Sequence, residues 1–331
     1  MNRPSSVRGR LFRGLTLLVA LAACLGLVEL GLRAAGFRYE LRVTVLESTA
    51  PDASRVYDHY RIDRDLTWVP RDYEERLERA RAARLVFLGD SCTEYGAYPS
   101  GLIQLLERRA GREIPYANLA VAGWTSHQGL RQIERDLAGT TPAIVTLFYG
   151  WNDHWMSMGL DDRSIERLNR SPLFGWQGTR IGQLATRGWV GLTTRGREPV
   201  PRVQLDAFRE NLTAAVRAVK ELGALPVLIT APSSHERGRE PAYLAERWMP
   251  QLEELVPTHR RYVEAVREVA RAEQAALVDL ARSFDALPPA VRRSAFMEDG
   301  IHFNREGDRR VALMLLDAFE RNGWDVAYLQ R

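Results

Sequence analysis

Ser91 stands just past a short apolar run, Leu85–Leu88, and the turn residues Gly89-Asp90. A serine hydroxyl is a weak nucleophile until a base takes its proton. His302 is the candidate base, and Asp299, three residues earlier, is placed to hold and orient its ring. Attack on an ester carbonyl makes a tetrahedral intermediate whose oxyanion needs donors. The candidates are the backbone N–H groups of Ser91 and Gly123 and the side-chain amide of Asn152. Glycine at 123 lets the backbone approach a substrate closely. Trp124, Trp151, His154 and Trp155 adjoin these residues and are candidate substrate contacts, with core packing as their plain alternative. His127 and His235 are further candidate substrate contacts, although a lone histidine beside aromatics is usually structural. Asp90 and Asp153 read as braces of the site loops through backbone hydrogen bonds.

Other chemistries find less support. Asp153, His154, Asp161 and Asp162 invite a metal reading, but their spacing matches no ligand pattern, so no metal is assigned. The two cysteines, Cys24 and Cys92, exclude a disulfide framework and a cysteine-rich zinc site. The net charge of +4 comes from Arg3, Arg8, Arg10 and Arg13, ahead of any acid. The rest of the chain is balanced, which gives no case for nucleic-acid binding.

The elements that must position these residues alternate between strands and helices. Apolar runs predict strands at Leu85–Leu88, Tyr116–Val121, Ala143–Tyr149, Leu225–Thr230 and Ala276–Leu280. Between them lie helical segments at Gly101–Ala110, from Thr125 or Ser126, at Asp206–Leu222, Ala242–Leu255 and His259–Gln274. Ser100 is the predicted cap of the first and Gly111 its stop. A last helix, Arg305–Phe319, is capped by Asn304. This rhythm implies right-handed crossovers and one parallel sheet covered on both faces, an α/β fold. Ser91, Gly123, Asn152 and the Asp299–His302 stretch then all fall at, or within reach of, the C-terminal edge of the sheet, where such folds place their sites.

With these residues in order, the chain resembles the SGNH/GDSL hydrolases, named for Ser, Gly, Asn and His in four sequence blocks. The blocks here are Gly89-Asp90-Ser91, Gly123, Gly150-x-Asn152-Asp153 and Asp299-x-x-His302, within about Leu85–Phe319. The resemblance implies a flavodoxin-like three-layer α/β/α domain with a five-stranded parallel sheet, a Ser–His–Asp site and no metal or organic cofactor. The chain departs from the family in a long stretch, His154–Leu205, rich in aromatics (Trp155, Trp176, Trp189), arginine and glycine, with Met156 and Met158. Irregular stretches of that length are commonly functional. Its aromatics suit stacking on a sugar, covering an acyl chain, or packing on the sheet edge.

Gly14–Val28 is fifteen residues without a charge, behind the four arginines. Extended from Leu11 to Leu32 it spans a membrane if Arg13 and Glu29 lie near the interfaces. The arginines predict a cytoplasmic N-terminus and an exported remainder. The competing readings are a lipoprotein box, Leu21-Ala22-Ala23-Cys24, with Cys24 acylated, and a cleaved signal peptide. The resulting division is a basic N-terminus (1–13), an anchor (14–35), a polar connector (36–83) and the hydrolase domain (84–331), with 154–205 as its insertion. Tyr57, Tyr60 and Trp68 are the connector's packing points, and Glu74–Ala83 its helix.

The sequence thus predicts a membrane-anchored, extracytoplasmic serine hydrolase of O-acyl esters borne by a glycan, a lipid or a small molecule. Two alternatives share its features. One is an acyltransferase that passes the acyl group to an envelope polysaccharide. The other is a non-catalytic envelope protein that binds a glycan or a partner.

Overall fold

The computed structural model describes residues 7–39, 59–157, 159–171, 175–247, 249–324 and 326–330. Tyr57 and Met158 lie outside the described residues. In chain order the strands are β1 (Tyr60–Asp63), β2 (Thr67–Pro70), β3 (Leu85–Gly89), β4 (Tyr116–Asn118), β5 (Ile144–Phe148), β6 (Met156–Ser157), β7 (Val200–Pro201), β8 (Leu225–Ile229) and β9 (Ala276–Val278). Five of them form a parallel sheet in the order β4-β3-β5-β8-β9. This is the doubly wound order of flavodoxin-like folds, with its crevice at the C-terminal ends of the strands.

β3, β5, β8 and β9 are apolar except at Thr146 because both faces of the sheet are covered. Side chains alternate between the faces. Leu85, Phe87, Ile144, Phe148, Val227 and Ile229 point into one core, against helices Tyr98–Ala110 and Arg305–Arg321. Val86, Leu88, Val145, Leu147 and Leu228 point into the other, against helices Ser126–Asp136, Leu205–Glu221 and Leu255–Ala272.

Three local readings are corrected. Ser100 is not a cap: the first helix begins at Tyr98, with Pro99 in its opening turn, and the Ser100 hydroxyl donates to the Ala97 carbonyl at 3.0 Å. Proline is at home there because those N–H groups lack partners anyway. The long helix expected at Ala242–Leu255 is a single turn, Tyr243–Arg247, then a 3₁₀ turn, Leu252–Glu254. Pro250 breaks it, whereas Pro257 sits tolerably in the first turn of the helix that starts at Leu255. The stretch 154–205 is not irregular: it holds helices Asp162–Asn169 and Arg180–Thr194 and is closed by β6 pairing with β7. From residue 59 the connector packs on the domain, with Tyr60 and Trp68 among its packing points as expected. β1, β2 and helix Tyr73–Arg81 bring Tyr60, Trp68 and Tyr73 into a third core with Val121, Ala122 and Trp124.

Val7–Ala34 is one helix, and Gly9–Ala34 is long and apolar enough to cross a membrane, with none of it buried. Membrane anchors and signal sequences share these properties.

Candidate active site

Ser91 opens a one-turn helix, Ser91–Glu94, where β3 ends. The Asp90 carboxylate caps it, accepting the Cys92 N–H at 2.9 Å. Glycine precedes this turn for want of room: a Cβ on Gly89 would collide with the Thr93 hydroxyl and stand 2.9 Å from the Phe148 carbonyl. Complete burial pushes Asp90 up to about 6, against the Cys92 N–H and the His302 charge. The neighbouring Cys92 thiol is raised far by burial, so it offers no competing thiolate.

His302 arrives from the far end of the chain. The loop from Ala295 to Asn304 folds back on itself through a Phe296–Phe303 bridge and the Asn304 N–H on the Ala295 carbonyl. Within it, Asp299 Oδ1 accepts the N–H groups of Ile301 (2.8 Å) and His302 (2.9 Å). That leaves Oδ2 for His302 Nδ1 at 2.6 Å, and His302 Nε2 lies 2.8 Å from Ser91 Oγ. His235 Nε2 donates to the Asp299 carbonyl at 2.7 Å. Burial alone would pull the His302 imidazole down, but the hydrogen bond and charge of Asp299 outweigh it, and the net shift is upward. Burial likewise lifts Asp299, and the bonds from His302 and the backbone more than reverse it.

The remaining candidates flank this line. Gly123 has φ +78° at the third position of a turn closed by the Trp124 N–H on the Val121 carbonyl, 3.2 Å. Such turns call for glycine there. The N–H groups of Ser91 and Gly123 have no protein acceptor among the described residues. Asn152 Nδ2 donates to the Trp124 carbonyl at 3.0 Å, which uses one of its two hydrogens.

A polar layer lies beneath, of which the sequence reading had only Asp153, as a brace of the site loops. Arg202 Nη1 donates to the Gly123 carbonyl at 2.7 Å, while its other nitrogens pair with Asp162 at 3.1 and 2.8 Å. Asp162 also accepts Thr125 Oγ1 (2.8 Å) and Gln128 Nε2 (3.0 Å), at the start of the helix after Gly123. Asp153 accepts the N–H and hydroxyl of Ser126 at 2.9 and 2.6 Å, and burial pushes it up to about 7. Glu94 takes the Ala122 N–H, the Tyr60 hydroxyl and Arg76. For Arg202 and Asp162 the sequence signal was an Arg and an acid in an unexplained insertion, at separations no local pattern reveals.

The aromatic candidates turn out to pack. Trp124 is fully buried, donates to the Trp68 carbonyl at 3.0 Å and meets Tyr73 edge-on, so its reading as a substrate contact is corrected. His154 is also sealed: its Nε2 lies 3.1 Å from His259 Nδ1, and His259 Nε2 reaches the Ala231 carbonyl. Burial holds His154 far below the usual imidazole range, hence neutral. Trp155 stacks on Trp151, which in turn stacks on His259 at 3.9 Å and meets His235 edge-on. Trp151, His154 and Trp155 therefore form a wall behind His235 rather than a substrate surface. His127 is spent on Glu166 at 2.8 Å. Asp161 caps helix Asp162–Asn169, so the three acids and one histidine weighed for a metal each have a structural partner.

Residues 87–310 match the family described as GDSL-like lipase/acylhydrolase, over most of the chain. The chain belongs to that family. It is an ester-hydrolysing enzyme of the GDSL type. Among solved structures it is similar to a lipase/acylhydrolase from Enterococcus faecalis, 18% identical with a TM-score of 0.47, covering 72% of this chain and 96% of that one. It is similar also to a GDSL-like lipase from Bacteroides thetaiotaomicron VPI-5482, at 16% identity and 0.48, covering 76% and 98%. An acetylxylan esterase from Geobacillus stearothermophilus matches at 18% and 0.43, covering 73% and 95%. No curated protein matches the chain.

Proposed function

We propose that this GDSL enzyme hydrolyses O-acyl esters of a carbohydrate or a lipid through Ser91, His302 and Asp299. The observation that carries the reading is the unbroken line from Ser91 Oγ to His302 Nε2 at 2.8 Å and from His302 Nδ1 to Asp299 Oδ2 at 2.6 Å. Ser91 Oγ attacks the ester carbonyl carbon as His302 Nε2 takes its proton. Asp299 keeps the Nδ1–H tautomer and steadies the imidazolium. The Ser91 and Gly123 N–H groups and the second Asn152 hydrogen receive the oxyanion. The bond between the carbonyl carbon and the alcohol oxygen then breaks, and His302 gives its proton to that leaving oxygen. Water, deprotonated by the same His302, attacks the acyl-enzyme and frees the acid and Ser91. A polysaccharide hydroxyl in place of that water gives transfer with the same groups.

The reading also takes the N-terminal helix as an uncleaved anchor, with one catalytic domain on the extracytoplasmic side and 154–205 as its insertion. Residues just past the apolar segment bond to that domain: the Tyr39 N–H donates to Gln183 Oε1 at 3.1 Å. Purified full-length chain in detergent should turn over a short-chain p-nitrophenyl ester, and Ser91→Ala should reduce the rate to background. Equal rates in the two folded proteins would overturn the assignment.

A further inference from the structure

The helix Arg180–Thr194 carries an apolar side that the domain does not cover. Gly182, Gln183 and Thr186 are buried and fix its inner face. On the outer side, Ile181, Leu184, Ala185, Gly188, Trp189 and Leu192 fall within about 140° of arc, with no charge among them. Leu192 is 77% exposed, and Trp176, just ahead of the helix, 55%. Exposed apolar area of this extent marks a contact surface.

What it meets is indicated by its neighbour. The first turn is tied to the N-terminal helix: the Ile181 N–H donates to Glu29 Oε2 at 3.0 Å, and Glu29 Oε1 holds Arg33 at 2.8 Å. The Arg187 guanidinium lies 5.9 Å from the Phe37 ring centroid. The charge-free run Gly14–Val28 is about 22 Å of helix, closed by Arg13 and Glu29, and it crosses a hydrocarbon core of ~30 Å with those two charges at the two interfaces. Glu29 and Arg33 therefore emerge where the headgroups begin, and Arg180–Thr194 is attached at that depth. Its composition suits the depth. Trp176 and Trp189 are of the type that gathers at the interface, and Arg180 and Arg187 flank the uncharged side, where lipid phosphates would face them.

We propose that Arg180–Thr194 is a second membrane-contact element, lying in the headgroup boundary beside the anchor and holding the domain flat against the bilayer. The proposal rests on the anchor reading of the N-terminal helix. Its test keeps the two apart. Full-length chain with Cys24→Ala is fitted with one new cysteine, at Leu18→Cys, Leu192→Cys or Leu313→Cys, and labelled with an environment-sensitive fluorophore. Cys24→Ala without a new cysteine measures the label taken by buried Cys92. Each protein is reconstituted in phosphatidylcholine–phosphatidylglycerol vesicles with or without lipids carrying a shallow nitroxide quencher. The proposal expects quenching and a blue shift at 192, burial of the label at 18, and neither effect at 313, on helix Arg305–Arg321. A label at 192 as unquenched as that at 313, with 18 embedded, overturns the interfacial role and leaves the anchor intact. Aqueous labels at both 18 and 192 overturn both readings.

Discussion

Replacing Arg202 with methionine tests whether the Gly123 turn is held from behind. The Arg202 and Asp162 side chains are 5% and 1% exposed, so the pair is almost wholly removed from water. Taking away one partner strands a buried carboxylate, at a cost of about 3–5 kcal/mol. It also strips the Gly123 carbonyl of its guanidinium donor. If that bond sets the direction of the Gly123 N–H, one oxyanion donor is misaimed, which costs about 10²–10³ in kcat. Stability and catalysis separate in the double variant Arg202→Met, Asp162→Leu. Replacing both members of a buried pair by apolar groups is often neutral for stability, so much of the lost stability should return. The Gly123 carbonyl remains unheld, so kcat should stay low with KM little changed. Thermal unfolding and p-nitrophenyl acetate kinetics on the same preparations give both readouts. A folded double variant with wild-type kcat would refute the reasoning.

Three further outcomes follow from the geometry. Because Asp299 raises His302 above its ordinary 6.5, kcat/KM should rise with pH through an ionisation above 6.5; Asp299→Asn should lower activity about 10³–10⁴-fold and move that limb down, and a wild-type limb at or below 6.5 counts against the assignment. Asn152→Ala should lower kcat about 10²–10³-fold with KM little changed, and a change confined to KM would remove Asn152 from the oxyanion site. Burial raises Asp153 from 3.8 to about 7. The stability linked to a carboxyl raised in this way is present below its unfolded value and lost as pH rises through the folded one. The stability of Asp153→Asn relative to wild type should thus grow between pH 4 and 8, by a few kcal/mol at most; a difference in unfolding temperature that stays flat with pH would contradict it.

The strands and the four chemical blocks were legible because each is local. Runs such as Ile144–Phe148 are buried on both faces and so apolar at every position but Thr146, which needs no knowledge of the partner strands. Ser91 and the Asp299–His302 pair are marked by residue type and by short spacing along the chain. What escaped the sequence depends on long separations. Arg202 meets the Gly123 carbonyl 79 residues away, and nothing near either residue forecasts the meeting. Trp124 and His154 were adjacent in sequence to site residues, and adjacency was a poor guide. A turn sends successive side chains in different directions, so Asn152 meets the Trp124 carbonyl while the Trp124 ring sinks between Trp68 and Tyr73. The helix Arg180–Thr194 does have an apolar stripe, Ile181, Leu184, Ala185, Trp189 and Leu192, but on its exposed side, while Gly182, Gln183 and Thr186 form the buried face, so the usual rule that the apolar side faces the core does not apply to it.

The central claim is that Ser91 is the nucleophile and His302 its base. The most direct measurement is covalent labelling of the full-length chain by a fluorophosphonate, with the site mapped by peptide mass and the rate followed against pH. A single adduct on Ser91 is expected, forming faster as His302 loses its proton, and none in Ser91→Ala. Labelling that persists unchanged in Ser91→Ala, or a folded wild-type chain that takes no label at any pH, would contradict it.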